Sequence, residues 1–317
     1  MPTNLEQSIL RTLCWFSVFD RPITRFEIWK WLLEPDRAYD LAEVYRTIES
    51  SEWIKERTVE KDGFYQLRER FVGAGLALPA GRQVPAHHMK EEIETRSKNY
   101  LDASKKFRKL KRALIYFRFF SNMQSLAAVN SIAFMNTNEK SDIDLFVITK
   151  PKSIWSTRFF LVAPFIVLRK RPGVSEQDPF CFSFFVTPNA LAMEPLRLKE
   201  GDHYFAFWLK SIVPVFDRER SFEKFHAANN WVNKILPNAS PRFVHPLRRS
   251  VFSFTPFVTC EFFFRLISLK RLPTSIRHLA DKDSRVVISD EMLKFHDTDR
   301  RAEFQKQYEA CVKRVCA

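Results

Sequence analysis

Glycine is scarce in this chain, with six in 317 residues, and Gly73, Gly75 and Gly81 fall together at 72–88 beside Pro79 and Pro85. That composition has little helical or strand potential, so residues 72–88 are expected to form an exposed loop or insertion. The five cysteines, Cys14, Cys181, Cys260, Cys311 and Cys316, are odd in number, widely spread and never in a Cys-x-x-Cys pair. No disulfide framework or zinc site follows from them. His87-His88 has no third ligand near it in sequence, which argues against a metal site there. No apolar run reads as a membrane span: residues 154–168 include Arg158, and residues 251–269 include Glu261 and Arg265. The start of the chain has neither a basic n-region nor an apolar h-region, so a cytoplasmic location is expected. There is no internal repeat.

What is abundant is aromatic and basic. Hydrophobic residues make up 45% of the chain and aromatics 15%, including 32 phenylalanines, enough for substantial cores; the length suggests two or three domains. A formal charge of +14 implies attraction to polyanions such as nucleotides, nucleic acid or anionic membrane surfaces. The densest basic run is Lys105-Lys106-Phe107-Arg108-Lys109-Leu110-Lys111-Arg112, followed by Arg169-Lys170-Arg171 and Arg248-Arg249. Solvated helix faces explain these runs as well as a nucleic-acid patch does.

The periodicity predicts an α+β chain. Helices are expected over 5–19, 25–33 and 40–51, followed by strands over 53–59 and 64–67 around the turn Lys61-Asp62-Gly63. Three helices and a two-stranded wing are the order of a winged helix, assigned to residues 1–70. Its third helix offers Arg46 but also Glu43 and Glu49, a poor balance for a phosphate-lined groove. Residues 71–104 are read as the loop insertion and a connecting helix that runs over 89–120. Residues 105–217 are expected to hold a small mixed sheet with helices on one side, and 218–317 a helical region in which 286–290 and 293–296 are ambiguous.

The chemistry-bearing pattern lies within the sheet region. Ser131, in Asn130-Ser131-Ile132-Ala133, stands eleven positions ahead of Asp142 in Ser141-Asp142-Ile143-Asp144-Leu145-Phe146-Val147-Ile148-Thr149. Side chains alternate along a strand, so Asp142 and Asp144 are expected to share one face at its start. Two carboxylates so close repel unless a cation bridges them, and hard oxygen ligands suit Mg²⁺ carrying a nucleotide's phosphates. A bare Asp-x-Asp is also common at strand entrances, where it meets only water.

These residues resemble the nucleotidyltransferase superfamily, the fold of DNA polymerase beta, whose signature is Gly-Ser, a spacer and Asp-x-Asp. The segment is similar to bacterial proteins whose core reads Gly-Ser-Leu-Ala, then Ser-Asp-Ile-Asp-Leu-Phe-Ile-Ile-Thr, behind an N-terminal winged helix. The resemblance implies that Ser131, with the backbone at Asn130, cradles an NTP triphosphate, while Asp142 and Asp144 hold Mg²⁺. It also implies transfer of a nucleoside monophosphate to an acceptor, with pyrophosphate leaving. Two positions depart from that pattern. Asn130 replaces the glycine; it tolerates a left-handed backbone but crowds an approaching phosphate. The later strand, 180–186, carries no acid, so the third carboxylate is assigned to Asp178, which as an aspartate before proline also reads as a turn initiator. Two further expectations therefore stand beside the enzyme: a fold without chemistry that binds nucleotide, nucleic acid or a protein partner, and a winged-helix regulator.

Overall fold

The computed structural model describes residues 2–68, 88–169, 177–244, 260–296 and 298–316. Most of the predicted 72–88 loop, with His87, lies outside the described residues, as do Lys170-Arg171, Arg248-Arg249 and the early part of the apolar run 251–269.

Local sequence chemistry starts the first three helices. Thr3 and Glu6 form a capping box at α1 (Asn4–Ser17), Thr24 and Glu27 repeat it at α2 (Arg25–Lys30), and Asp40 and Glu43 at α3 (Leu41–Ser50). Each box satisfies two amide donors that a helix start leaves open. The strand expected from Trp53 begins only at Thr58. Ser51 accepts the Ile54 amide and starts a further short helix, α4 (Glu52–Arg57), so a cap overrides the strand-like alternation. Three short strands, β1 (Ile23–Thr24), β2 (Thr58–Lys61) and β3 (Phe64–Leu67), form an antiparallel sheet in the order β1-β3-β2. Asp62 and Gly63, at φ 53 and φ 80, make the turn between the last two.

A long helix, α5 (His88–Phe117), leads to the main sheet. Its strands are β4 (Met123–Ala128), β5 (Ile143–Thr149), β6 (Phe180–Val186), β7 (Val213–Asp217), β8 (Val286–Ile288) and β9 (Met292–Phe295), in the order β7-β4-β5-β6-β9-β8. Only β5 and β6 run parallel; the sheet is mixed, as expected.

Two expectations change here. The region 218–317 is not purely helical, because the β8–β9 hairpin joins the sheet through β6. Strands this short give too few alternations to be told from helix by periodicity. Helices also cover both faces rather than one. Ile143, Leu145 and Val147 point to a core built with α5 and α7 (Ile154–Val167). Phe146, Ile148, Phe184 and Val186 point the other way, to α8 (His203–Ser211), α9 (Ser221–Ala228) and α12 (Arg301–Val315). Strands buried on both faces are near-continuously apolar, as β5 is over residues 145–148 and β6 is apart from Ser183.

The second core continues without a break into the N-terminal module. Trp15 of α1 stacks on Phe207 of α8 at 5.1 Å, and Trp31 lies 5.5 Å from the same ring. His203 reaches Glu34 through Nε2 at 2.9 Å and Gln305 of α12 through Nδ1 at 2.8 Å. The buried Asn238 amide donates to the Trp29 and Tyr39 carbonyls and accepts from the Tyr39 amide. With rings of the N-terminal module packed on Phe207 of α8, Phe207→Ala is expected to cost about 3–5 kcal/mol. Urea unfolding followed by circular dichroism and by tryptophan fluorescence should then give one coincident, shifted transition; two separate transitions would show that the parts fold independently.

Candidate metal and nucleotide site

The site is built where β4 ends and β5 begins. The Val129 amide donates to the Asp144 carbonyl at 3.1 Å, and the backbone then turns at Asn130, which sits in the left-handed region at φ 57. A single helical turn, α6 (Asn130–Ala133), follows, and the Asn136 amide closes the loop on the Ser131 carbonyl at 2.9 Å. Asp142 stands just ahead of β5, Asp144 is its second residue, and Asp144 lies opposite Cys181 in the register with β6. A carboxylate oxygen from each aspartate and the Cys181 Sγ all lie within 4.8 Å of one another.

The structure thus brings Asp142 and Asp144 together and puts a thiol at the third corner. Asp178 is not one of the three. It sits in a left-handed turn at φ 46, hydrogen-bonded to Lys106 and 3.3 Å from Lys109. Burial would raise its pKa, but the two lysines outweigh that and hold the carboxyl below its usual range. A carboxylate neutralised in this way is the turn residue that the Asp-Pro dipeptide allowed. Cys181 was legible in sequence only as part of an apolar strand; the parallel register with β5 is what turns its side chain to the acids.

The pair is electrostatically uncompensated. Burial pushes Asp144 up to about 6, helped by the charge of Asp142 and opposed by hydrogen bonds from Asn130 and Cys181. Burial also raises Asp142, against the pull of Lys106. That lysine is itself engaged by Asp102 at 3.2 Å and by Asp178. Among the described residues, no lysine or arginine makes an ion pair with Asp142 or Asp144. Burial, then Asp144, pushes the Cys181 thiol well up, so it stays protonated at neutral pH. The two carboxylates fit Mg²⁺, which takes one or two such ligands and completes its shell with water and phosphate oxygens. The thiol is too soft a donor for that ion and stands outside the donor set.

Asn130 connects the acids to two cavities. Its Oδ1 accepts the Trp208 indole N–H at 2.9 Å, and its side chain lies near enough to Asp144 to pull that carboxyl's pKa down against burial. One cavity, of about 300 Å³, runs from Asn130 past Tyr204 and Trp208 to Lys294 and Arg301. Arg301 is held by Asp202 at 2.6 Å and Asp299 at 2.8 Å, and burial, then Arg301, pushes Lys294 down to about 8. The other, of about 170 Å³, is lined by Asn130, Ser131 and residues of the N-terminal module. Lys294 and Arg301 had no signal in a tail read as helical; Lys294 reaches the cavity because β9 pairs with β6, and Arg301 because it opens α12, which packs on α8. The arrangement can hold a divalent cation at one end and an anionic, ring-bearing ligand along the aromatic wall. Compared with known proteins, the chain matches no family model, no curated protein and no solved structure.

Asp144 titrates near 6 in the fold against 3.8 when free, so the cost of ionising it is absent below about pH 4 and complete above about pH 6. Asp144→Asn is therefore expected to stabilise the metal-free protein by up to about 3 kcal/mol at pH 7. Chemical denaturation at pH 7 and pH 4 should show that gain fading at the lower pH; an equal effect at both would rule out a strained carboxylate. Asn130→Ala should cost about 1–3 kcal/mol, since it leaves the Trp208 N–H without its acceptor and puts alanine in the left-handed region.

Proposed function

We propose that the chain is a nucleotidyltransferase that uses a divalent cation to move a nucleoside monophosphate from an NTP to an acceptor. The observation that carries this is the juxtaposition of two uncompensated carboxylates, Asp142 and Asp144, with the Asn130-Ser131 turn on adjoining strand ends. A bound Mg²⁺ would neutralise charge on the phosphates, and the aspartates would hold it. The chain's own contribution is positional. Asn130 sits between the Asp144 carboxylate and Trp208, and the 300 Å³ cavity offers aromatic surface for a base with cations beyond it.

Residues 1–70 are proposed to be a winged-helix module that serves docking rather than DNA reading. The order α1-β1-α2-α3-α4-β2-β3 and the antiparallel β1-β3-β2 sheet support the fold. The helix that would enter a groove carries Glu43 and Glu49, ion-paired to Arg37 and Arg25, and the module's aromatic face is buried on α8. One observation favours a second reading, a fold that binds nucleotide without reacting. Cys181 fills the third corner with a neutral thiol that supplies neither charge nor a general base.

Mg-ATP and Mg-GTP calorimetry beside a labelled-NTP transfer assay on cell extract separates the two. Transfer that falls by at least ~100-fold in Asp142→Ala and Asp144→Ala, the upper end of what even outer metal partners cost, supports the enzyme. Metal-dependent binding with no transfer supports the binding module. In the enzyme reading, Cys181→Asp adds a hard ligand and is expected to tighten Mg²⁺ binding; unchanged affinity would place residue 181 outside the metal's reach.

A further inference from the structure

The smaller cavity, about 170 Å³, lies between α1 and the 130–136 turn and has room for several waters of about 30 Å³ each. Aromatic rings of α1 and α8 form one side, and Arg21, Asn130, Ser131 and Asn136 supply its polar groups. Arg21 is the only charged residue of this lining among the described residues. Its side chain is 12% exposed; Nη2 donates to the Phe134 carbonyl at 3.0 Å, and Nε is buried with no hydrogen-bond partner.

The charge around Arg21 does not balance. Its nearest carboxylate, Glu27 at 3.6 Å, already accepts from Arg96 at 2.6 and 2.7 Å and from the Thr24 amide at 3.0 Å. Two guanidinium groups thus share one carboxylate away from bulk water, where an unpaired charge is costly. Burial, then Arg96, pushes Arg21 down to about 10, which leaves it protonated at neutral pH. The neighbouring groups are donors. Among the described residues nothing pairs with the Ser131 hydroxyl, and the Asn136 side chain uses only its oxygen, which accepts from Asn99 at 2.9 Å. A cavity with one uncompensated cation, a hydroxyl and an amide NH₂ suits an anion with several acceptor oxygens.

We propose that this cavity is a phosphate pocket in which Arg21, from the N-terminal module, supplies the charge that holds the polyphosphate end of a nucleotide. The anionic character of the ligand rests on the cavity; its identity as an NTP rests on the nucleotidyltransferase reading. The consequence is that the module is part of the substrate site: with Arg21 removed, the described lining of this cavity carries no charged residue.

The test is calorimetry on the full chain with inorganic tripolyphosphate, without divalent cations, beside the Mg-ATP titration and the transfer assay. The wild-type chain is expected to bind tripolyphosphate, Arg21→Gln to weaken it by ~10-fold or more, the scale of one charged hydrogen bond, and Arg21→Lys to recover part. Should Arg21→Gln fail to fold, Asn136→Asp keeps the acceptor for Asn99, places a negative charge in the wall and is expected to weaken binding as well. No tripolyphosphate binding by the wild-type chain, or binding indifferent to these substitutions, overturns the pocket. Aspartate-dependent transfer without tripolyphosphate binding would sink the pocket alone; Arg21-dependent tripolyphosphate binding with neither transfer nor Mg-ATP binding would sink the transferase reading alone.

Discussion

The carboxamide of Asn130 ties the turn after β4 to α8, accepting the Trp208 indole N–H at 2.9 Å beside the Asp144 carboxylate. That one side chain sits between the acid pair and both cavities, on a left-handed backbone that a glycine would adopt freely. The amide brings a compensation that glycine lacks. It supplies an acceptor to the Trp208 indole and a polar neighbour to the half-buried Asp144 carboxylate. The geometry of the site therefore depends on a residue that is neither acid nor base.

Around this link the desolvated charges fall into an acidic half and a basic half. Burial raises Asp142 and Asp144 on one side, and lowers Arg21 and Lys294 on the other. Each half is strained alone, because a low-dielectric surrounding penalises an uncompensated charge of either sign. A cation on the acids and phosphates against the bases would relieve both together. A structural ion-pair network such as Arg301 with Asp202 and Asp299 differs in that the partners already neutralise one another inside the fold.

Helix starts were legible because capping is local chemistry: Thr3, Thr24 and Asp40 each act on the amide three residues on. The strand 180–186 was readable to the residue, since its apolar run is bounded by Asp178-Pro179 and Thr187-Pro188. The extra helix α4 and the β8–β9 hairpin were not, for both are too short to show a period and are held by a cap in one case and by pairing with β6 in the other. Asp178 looked like a third acid by its place before a strand, yet Lys106 and Lys109, some seventy residues earlier in the chain, come back on α5 to neutralise it.

Spacing along the chain was enough to put Asp142 and Asp144 at the start of one strand and Ser131 at the end of its neighbour, because strand periodicity and turn chemistry act over a few residues. The company those residues keep came from the three-dimensional packing. Cys181 at the third corner, Arg21 across the smaller cavity, and Lys294 and Arg301 along the larger one are distant in sequence, and they meet through strand order and a core shared between α1 and α8. Registers and core contacts are long-range agreements between surfaces, and no local pattern encodes which surface will be the partner.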